Sequence, residues 1–155
     1  MRLRRRPAVL LIILAVIVVF LLVSALLARV YSSVTAERSG VTALVDAEAH
    51  GEKTSMLDDL YQCRSSAACR ARVAADAGAL RRAGAVSVLE LSVSSSFPIF
   101  GKTGVARVAW ETPGQLPITQ CVRVRHTGNP ISGMKVELLE ISERIKTNGD
   151  CPKQF

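Results

Sequence analysis

Residues Ala8 to Ala28 read AVLLIILAVIVVFLLVSALLA without a single charge, and Arg2, Arg4, Arg5 and Arg6 stand directly before them. At about 1.5 Å per residue such a run makes a helix of roughly 30 Å, the thickness of a bilayer's hydrocarbon core. The segment is therefore read as a transmembrane helix. Basic residues are retained on the cytoplasmic side of a membrane, which sends everything after Arg29 outward. A cleavable signal has an apolar stretch of about 7–15 residues. This one is longer, so the small-residue sites ending at Ala25 and Ala36 are read as uncut. The expected organisation is a cytoplasmic basic arm at 1–7, a single-pass signal anchor at 8–28 whose partner is the lipid bilayer, a stalk at 29–40 and an extracytoplasmic domain at 41–155.

The formal net charge of +7 points toward nucleic acid until the charges are located. Residues 30–155 carry fifteen Lys and Arg against thirteen Asp and Glu, close to balance. The excess sits in the amino-terminal arm, where it serves topology and contact with anionic headgroups. No nucleic-acid partner is expected. The four cysteines, Cys63, Cys69, Cys121 and Cys151, all lie on the exported side. An even number in an oxidising compartment reads as two disulfides, and the spacing lacks the paired C-x2-C knuckles of a structural zinc site. No metal and no cofactor are expected.

Past the polar stalk, Val41, Leu44 and Val45 have helical spacing, with Gly51 placed to end the helix. Ser55 and Asp58 have the spacing of a capping box, which predicts a second helix starting there. Asp58 and Asp59 are then first-turn carboxylates, not an acid pair. Residues six apart in one continuous helix are separated by about 9 Å of rise, beyond disulfide reach. A Cys63–Cys69 bridge therefore requires a break, which Arg64-Ser65-Ser66 supplies; a third helix follows from Ala67 to Ala83. After Gly84 the period changes to two and the composition to Val, Ser and Thr, which predicts strands. They are placed at Ala85–Ser94, Val105–Glu111, Ile118–His126 and Met134–Ile145, the last with a bulge where its pattern slips between Leu138 and Leu139. In a simple meander Cys121 and the tail return to the same end of the sheet, so Cys121 pairs with Cys151.

Three helices followed by a four-stranded antiparallel sheet, outside an anchor, resembles the small exported domains of the NTF2-like and cystatin-like α+β group. The resemblance covers residues 41–145 and rests on element order. It implies a curved sheet wrapped around a helix, with room for a cone-shaped pocket. Enzymes of that group carry Asp, His or Tyr inside the cone. Here the positions read as inward are Leu89, Leu91, Val108, Trp110, Val122, Val124 and Leu138, so no catalytic residue carries over. A pilin-like reading shares the single amino-terminal helix and the carboxy-terminal disulfide, but the Gly-Phe and following Glu of a prepilin site are missing.

Candidate sites are few. His50 is placed at a helix end and His126 at a strand end, neither beside a nucleophile, and no Walker loop, dinucleotide fingerprint or H-E-x-x-H motif is present. Phe97, Ile99 and Phe100 concentrate apolar area in a hairpin loop, as a plug or as a contact for a partner or the membrane surface. Arg107, Arg123 and Arg125 share the outer face of the sheet, where cross-strand ion pairs are the ordinary use and an anionic partner the functional one. The expectation is a non-enzymatic interaction module that binds a membrane or envelope protein as an accessory subunit. The alternative is a binder of an apolar or lipid ligand inside the cone.

Overall fold

The computed structural model describes residues 5–93, 103–129, 133–146, 149–153 and 155. The fold is α+β: a long helix α1 (Arg5–His50), a short α2 (Lys53–Asp59), a 3-10 turn (Tyr61–Arg64), α3 (Ala67–Ala79), then β1 (Ser87–Ser92), β2 (Thr103–Glu111), β3 (Ile118–Asn129) and β4 (Gly133–Ile141). The strands form one antiparallel sheet in the order β1-β2-β3-β4, the expected meander.

One difference from the sequence reading reorganises the molecule. Residues 29–40, expected as a spacer, are helix, and α1 runs without a break from the apolar stretch into the core. The segment has no Pro, only one Gly, and Ser and Thr hydroxyls that return to the helix itself: Ser32, Thr35 and Ser39 each donate to a carbonyl three or four residues back. The packed part begins well before Val41, because Ser33 and Glu37 are already buried. The apolar stretch is exposed along its whole length and is long and apolar enough to cross a membrane.

Gly51 ends α1 as expected, and the cause is its φ of 72°. Its amide donates to Glu48 O and that of Glu52 to Ala47 O, the paired bonds of a Schellman cap. A Cβ there would also come within 3.1 Å of Ala77 O, so the cap lets α3 pass close. The capping-box expectation fails: α2 starts at Lys53, so Ser55 lies inside it and donates to Glu52 Oε2. Asp58 and Asp59 thus close α2 instead of opening it, and burial, then the neighbouring Asp58 charge, push the Asp59 carboxyl up. The third helix begins as read, with the Ser66 side chain accepting from Cys69 N, but stops at Ala79.

The β4 bulge falls where the pattern slips: Arg123 lies opposite Glu140 and Val124 opposite Leu138, leaving Leu139 unmatched. A second bulge, at Leu89 in β1, was not foreseen. It turns Leu89 outward, 53% exposed, and sends Val88 and Leu91 toward the core, which corrects the inward assignment of Leu89. The core between α1 and the sheet is filled by Trp110, Leu44, Met56, Leu60, Ile118 and Ile141, all fully buried. Leu60 also bridges to Leu138, covering the β4 edge.

Both disulfides pair as read. Cys63–Cys69 spans the helix break with 4.9 Å between Cα atoms, and Cys121–Cys151 clamps the tail at 5.8 Å. The Cys121–Cys151 bridge closes a loop with a sequence separation of 30. On the chain-entropy account, Cys121→Ser with Cys151→Ser lowers stability by about 3 kcal/mol. Urea unfolding of the oxidised protein and the double variant checks this, and equal midpoints would count against it.

Candidate functional site

The inner face of α1 carries the residues with chemical potential. Ser33, Glu37, Val41, Leu44 and Glu48 recur at three- and four-residue steps, one stripe of the helix, so the same periodicity that buries Val41 and Leu44 also buries two carboxylates. Opposite them on β3, Ile118, Gln120, Val122, Val124 and His126 alternate inward, and this period-two row puts Gln120 and His126 against the helix.

Two polar contacts result. Near the start of the packed part, His126 Nε2 lies 3.1 Å from Glu37 Oε2, both side chains almost wholly buried. Near the end of α1, Gln120 Nε2 donates to Glu48 Oε1 at 2.8 Å and to Ser142 O at 3.2 Å, while Trp110 Nε1 donates to Gln120 Oε1 at 3.0 Å. An indole nitrogen only donates, so Trp110 fixes the amide orientation of Gln120 and hence its donor toward Glu48. Burial pushes the Glu48 carboxyl up to about 8; the Gln120 bond acts against this and the nearby Asp76 charge reinforces it. Glu48 is therefore protonated at neutral pH, and its Oε2 meets no partner among the described residues. Asp76, on α3, is raised to about 6 by burial and by Glu143, with Arg72 opposing. Glu48, Gln120 and Trp110 lock helix to sheet, and Glu48 and Gln120 have no surface exposed to a substrate.

The outer face of the sheet holds the arginines singled out from sequence, and most of their capacity is used inside the domain. Arg125 donates through Nε and Nη2 to Glu137 Oε2, at 2.8 and 2.6 Å, and stacks 4.8 Å from the Tyr61 ring centre. The paired carboxylate raises its guanidinium pKa further. Arg123 pairs with Glu140 at 2.7 Å, donates to Lys153 O at 3.0 Å and covers the Phe155 ring at 4.7 Å, which pins the tail beside the Cys121–Cys151 bridge. Arg107 is half-buried on the same face. Phe97, Ile99 and Phe100 lie outside the described residues.

His50 ends α1 with Nδ1 2.8 Å from Asp46 O, and is exposed. His126, read as a strand-end residue, is instead the buried partner of Glu37. A surface cleft of about 390 Å³ opens between Gly40 and Ala43 of α1 and Tyr61, Arg64 and Glu137; another of about 330 Å³ lies between Arg72 of α3 and the tail at Pro152 and Phe155. Among the described residues, no group of three or more His, Cys, Asp and Glu is arranged to hold a metal ion.

Sequence reasoning missed Glu37, Glu48, Asp76 and Gln120. The signal was present for three of them: extending the Val41, Leu44 stripe by one turn each way reaches Glu37 and Glu48, and extending Val122, Val124 by one step reaches Gln120. The fold and these contacts define a disulfide-bonded α+β domain continuous with an apolar helix. Comparisons with family models, curated proteins and solved structures found no match to this chain.

Proposed function

We propose that the chain is a membrane-anchored extracytoplasmic interaction module, an accessory subunit of a cell-envelope assembly. The observation that carries this reading is the continuity of α1: one helix is exposed and apolar over its first half and forms the core of the domain over its second. Such a helix holds the domain at a fixed height and orientation on a membrane, which suits a part that docks with neighbours. The arginines at positions 2–6 favour the orientation with the domain outside, and two formed disulfides suit that oxidising side.

The filled interior supports a binding surface over a pocket: in an NTF2-like arrangement the cone would open where Trp110, Ile118 and Leu44 are packed. The NTF2-like kinship itself is part of the proposal. Two measurements test the reading. Protease added to intact spheroplasts removes the domain while a cytoplasmic control survives. A photo-crosslinking residue at Arg107 gives one discrete protein adduct in native membranes and none in vesicles holding the purified chain alone. Survival of the domain would overturn the orientation, and adducts with lipid or self only would overturn the partner.

A further inference from the structure

The two contacts between α1 and β3 fix how the sheet stands relative to the apolar helix. Glu48 meets Gln120, and Glu37 meets His126. Moving back along α1 from residue 48 to 37 covers about 16 Å of helix rise, while moving forward along β3 from 120 to 126 covers about 20 Å of strand. The two elements therefore run antiparallel, and β3 descends toward the apolar half of α1. Glu37 is nine residues past Ala28, the end of the uncharged run, or about 13 Å of helix. Beyond His126, β3 continues through Thr127 and Gly128 to Asn129, opposite Lys135, Met134 and Gly133 of β4. That further descent of about 8–10 Å brings the sheet end to roughly 5 Å above the level of Ala28. Headgroups occupy about 5–7 Å on each side of the hydrocarbon core.

The charge on this end fits the same surface. On the membrane side of the Glu37–His126 contact, the charged residues that α1 and the strand register place among the described residues are Arg29 and Lys135, with Arg38 one residue above the contact. All three are positive. Of the carboxylates at this level, Glu37 is turned inward and buried, and Glu137, one step above His126 in the strand register, is paired with Arg125. Tyr31, 75% exposed, stands at the depth where aromatic rings settle in a membrane interface. A membrane surface carrying anionic lipids attracts each such cation.

We propose that the sheet end formed by Thr127–Gly128 and Met134–Lys135 rests on an anionic lipid headgroup layer, held there by Lys135 and Arg38, so that the sheet stands upright on the bilayer. This rests on the reading of α1 as an anchor. The domain is thus a platform whose far end, the β2–β3 turn with exposed Leu116, faces away from the membrane.

Nitroxide labels on full-length chains test it, with Phe20→Cys, Thr127→Cys or Leu116→Cys introduced separately and both native bridges kept oxidised. The chains are placed in vesicles of phosphatidylcholine with phosphatidylglycerol, or of phosphatidylcholine alone. Collision with a water-soluble nickel chelate is then measured. With the anionic lipid, the label at 127 is several-fold less accessible than that at 116, and the double change R38E/K135E returns it to the level of 116. Equal accessibility at 127 and 116, with the label at 20 shielded, overturns the proposal and leaves the anchor standing. A water-accessible label at 20 overturns the anchor and the proposal with it. Shielding at 127 that survives R38E/K135E, or that is the same without phosphatidylglycerol, overturns the assignment to anionic headgroups.

Discussion

Between pH 4.5 and pH 8 the folded domain loses stability as the pH rises, and Glu48→Gln removes most of that slope. In the unfolded chain Glu48 titrates near 4.5, whereas burial in the folded domain raises it to about 8. Across this window the native state holds a proton that the unfolded state has released, so stability falls with increasing pH. The full contribution is present below 4.5 and is gone above 8. A shift of that size corresponds to at most about 5 kcal/mol, with relaxation of the site reducing it. Asp76, raised from 3.8 to about 6, adds a slope of the same sign at the acidic end. Glutamine at position 48 keeps an oxygen to accept from Gln120 and stays neutral. The variant therefore matches the native chain at low pH and exceeds it at pH 8. Urea unfolding of the full chain in detergent micelles across this range reads the difference directly. Stability that rises with pH, or a slope unaltered by Glu48→Gln, would show that Glu48 does not carry the proton.

The second large effect is at the other end of the same helix face. Changing His126→Leu alone takes away the ring nitrogen 3.1 Å from buried Glu37 Oε2, and costs about 3 kcal/mol. Changing Glu37→Leu alone strands His126, whose Nδ1 already lacks a partner among the described residues. The double variant removes both polar groups and regains most of the loss, because a buried polar pair replaced by packed apolar residues is often nearly neutral. Unfolding midpoints of the two single variants and the double variant give the coupling energy of the pair. Additive losses in the double variant would mean that the 3.1 Å contact contributes nothing of its own. Were the domain's lower end to loosen in the single variants, hydrogen exchange would speed up at β3 and β4 near Thr127 and Lys135 before it does at Val108.

Much of the architecture was legible because local chemistry writes it directly. An uncharged stretch of 21 residues can only be satisfied as a helix in an apolar medium, and the alternation of Val122 and Val124 with Arg123 and Arg125 specifies a strand with one buried face. The Cys63–Cys69 bridge demanded a helix break, and a break was available at Ser65-Ser66. The slip from Val136 and Leu138 to Leu139 and Ile141 marked the β4 bulge, because a face change within one strand has no other regular cause. The Leu89 bulge left no such mark: Leu89, Leu91 and Val93 alternate correctly among themselves, and Val88 competes for the same face with equal apolarity.

The stalk failed for a different reason. Polar residues in 29–40 read as solvated because Ser, Thr, Glu and Arg are usually exposed, yet their helical face was decided by what lay 90 residues away. Glu37 is buried because His126 waits opposite it, and Glu48 because Gln120, held by Trp110, supplies a donor. Helix period, strand period, the break at Ser65-Ser66 and the Cys63–Cys69 pairing across it are properties of neighbours in the chain, and the sequence by itself determined them. The fate of a buried carboxylate depends on desolvation against a partner brought from another element. Only the tertiary structure decided that the apolar run and the core helix are one continuous α1, and that its carboxylates close onto the sheet.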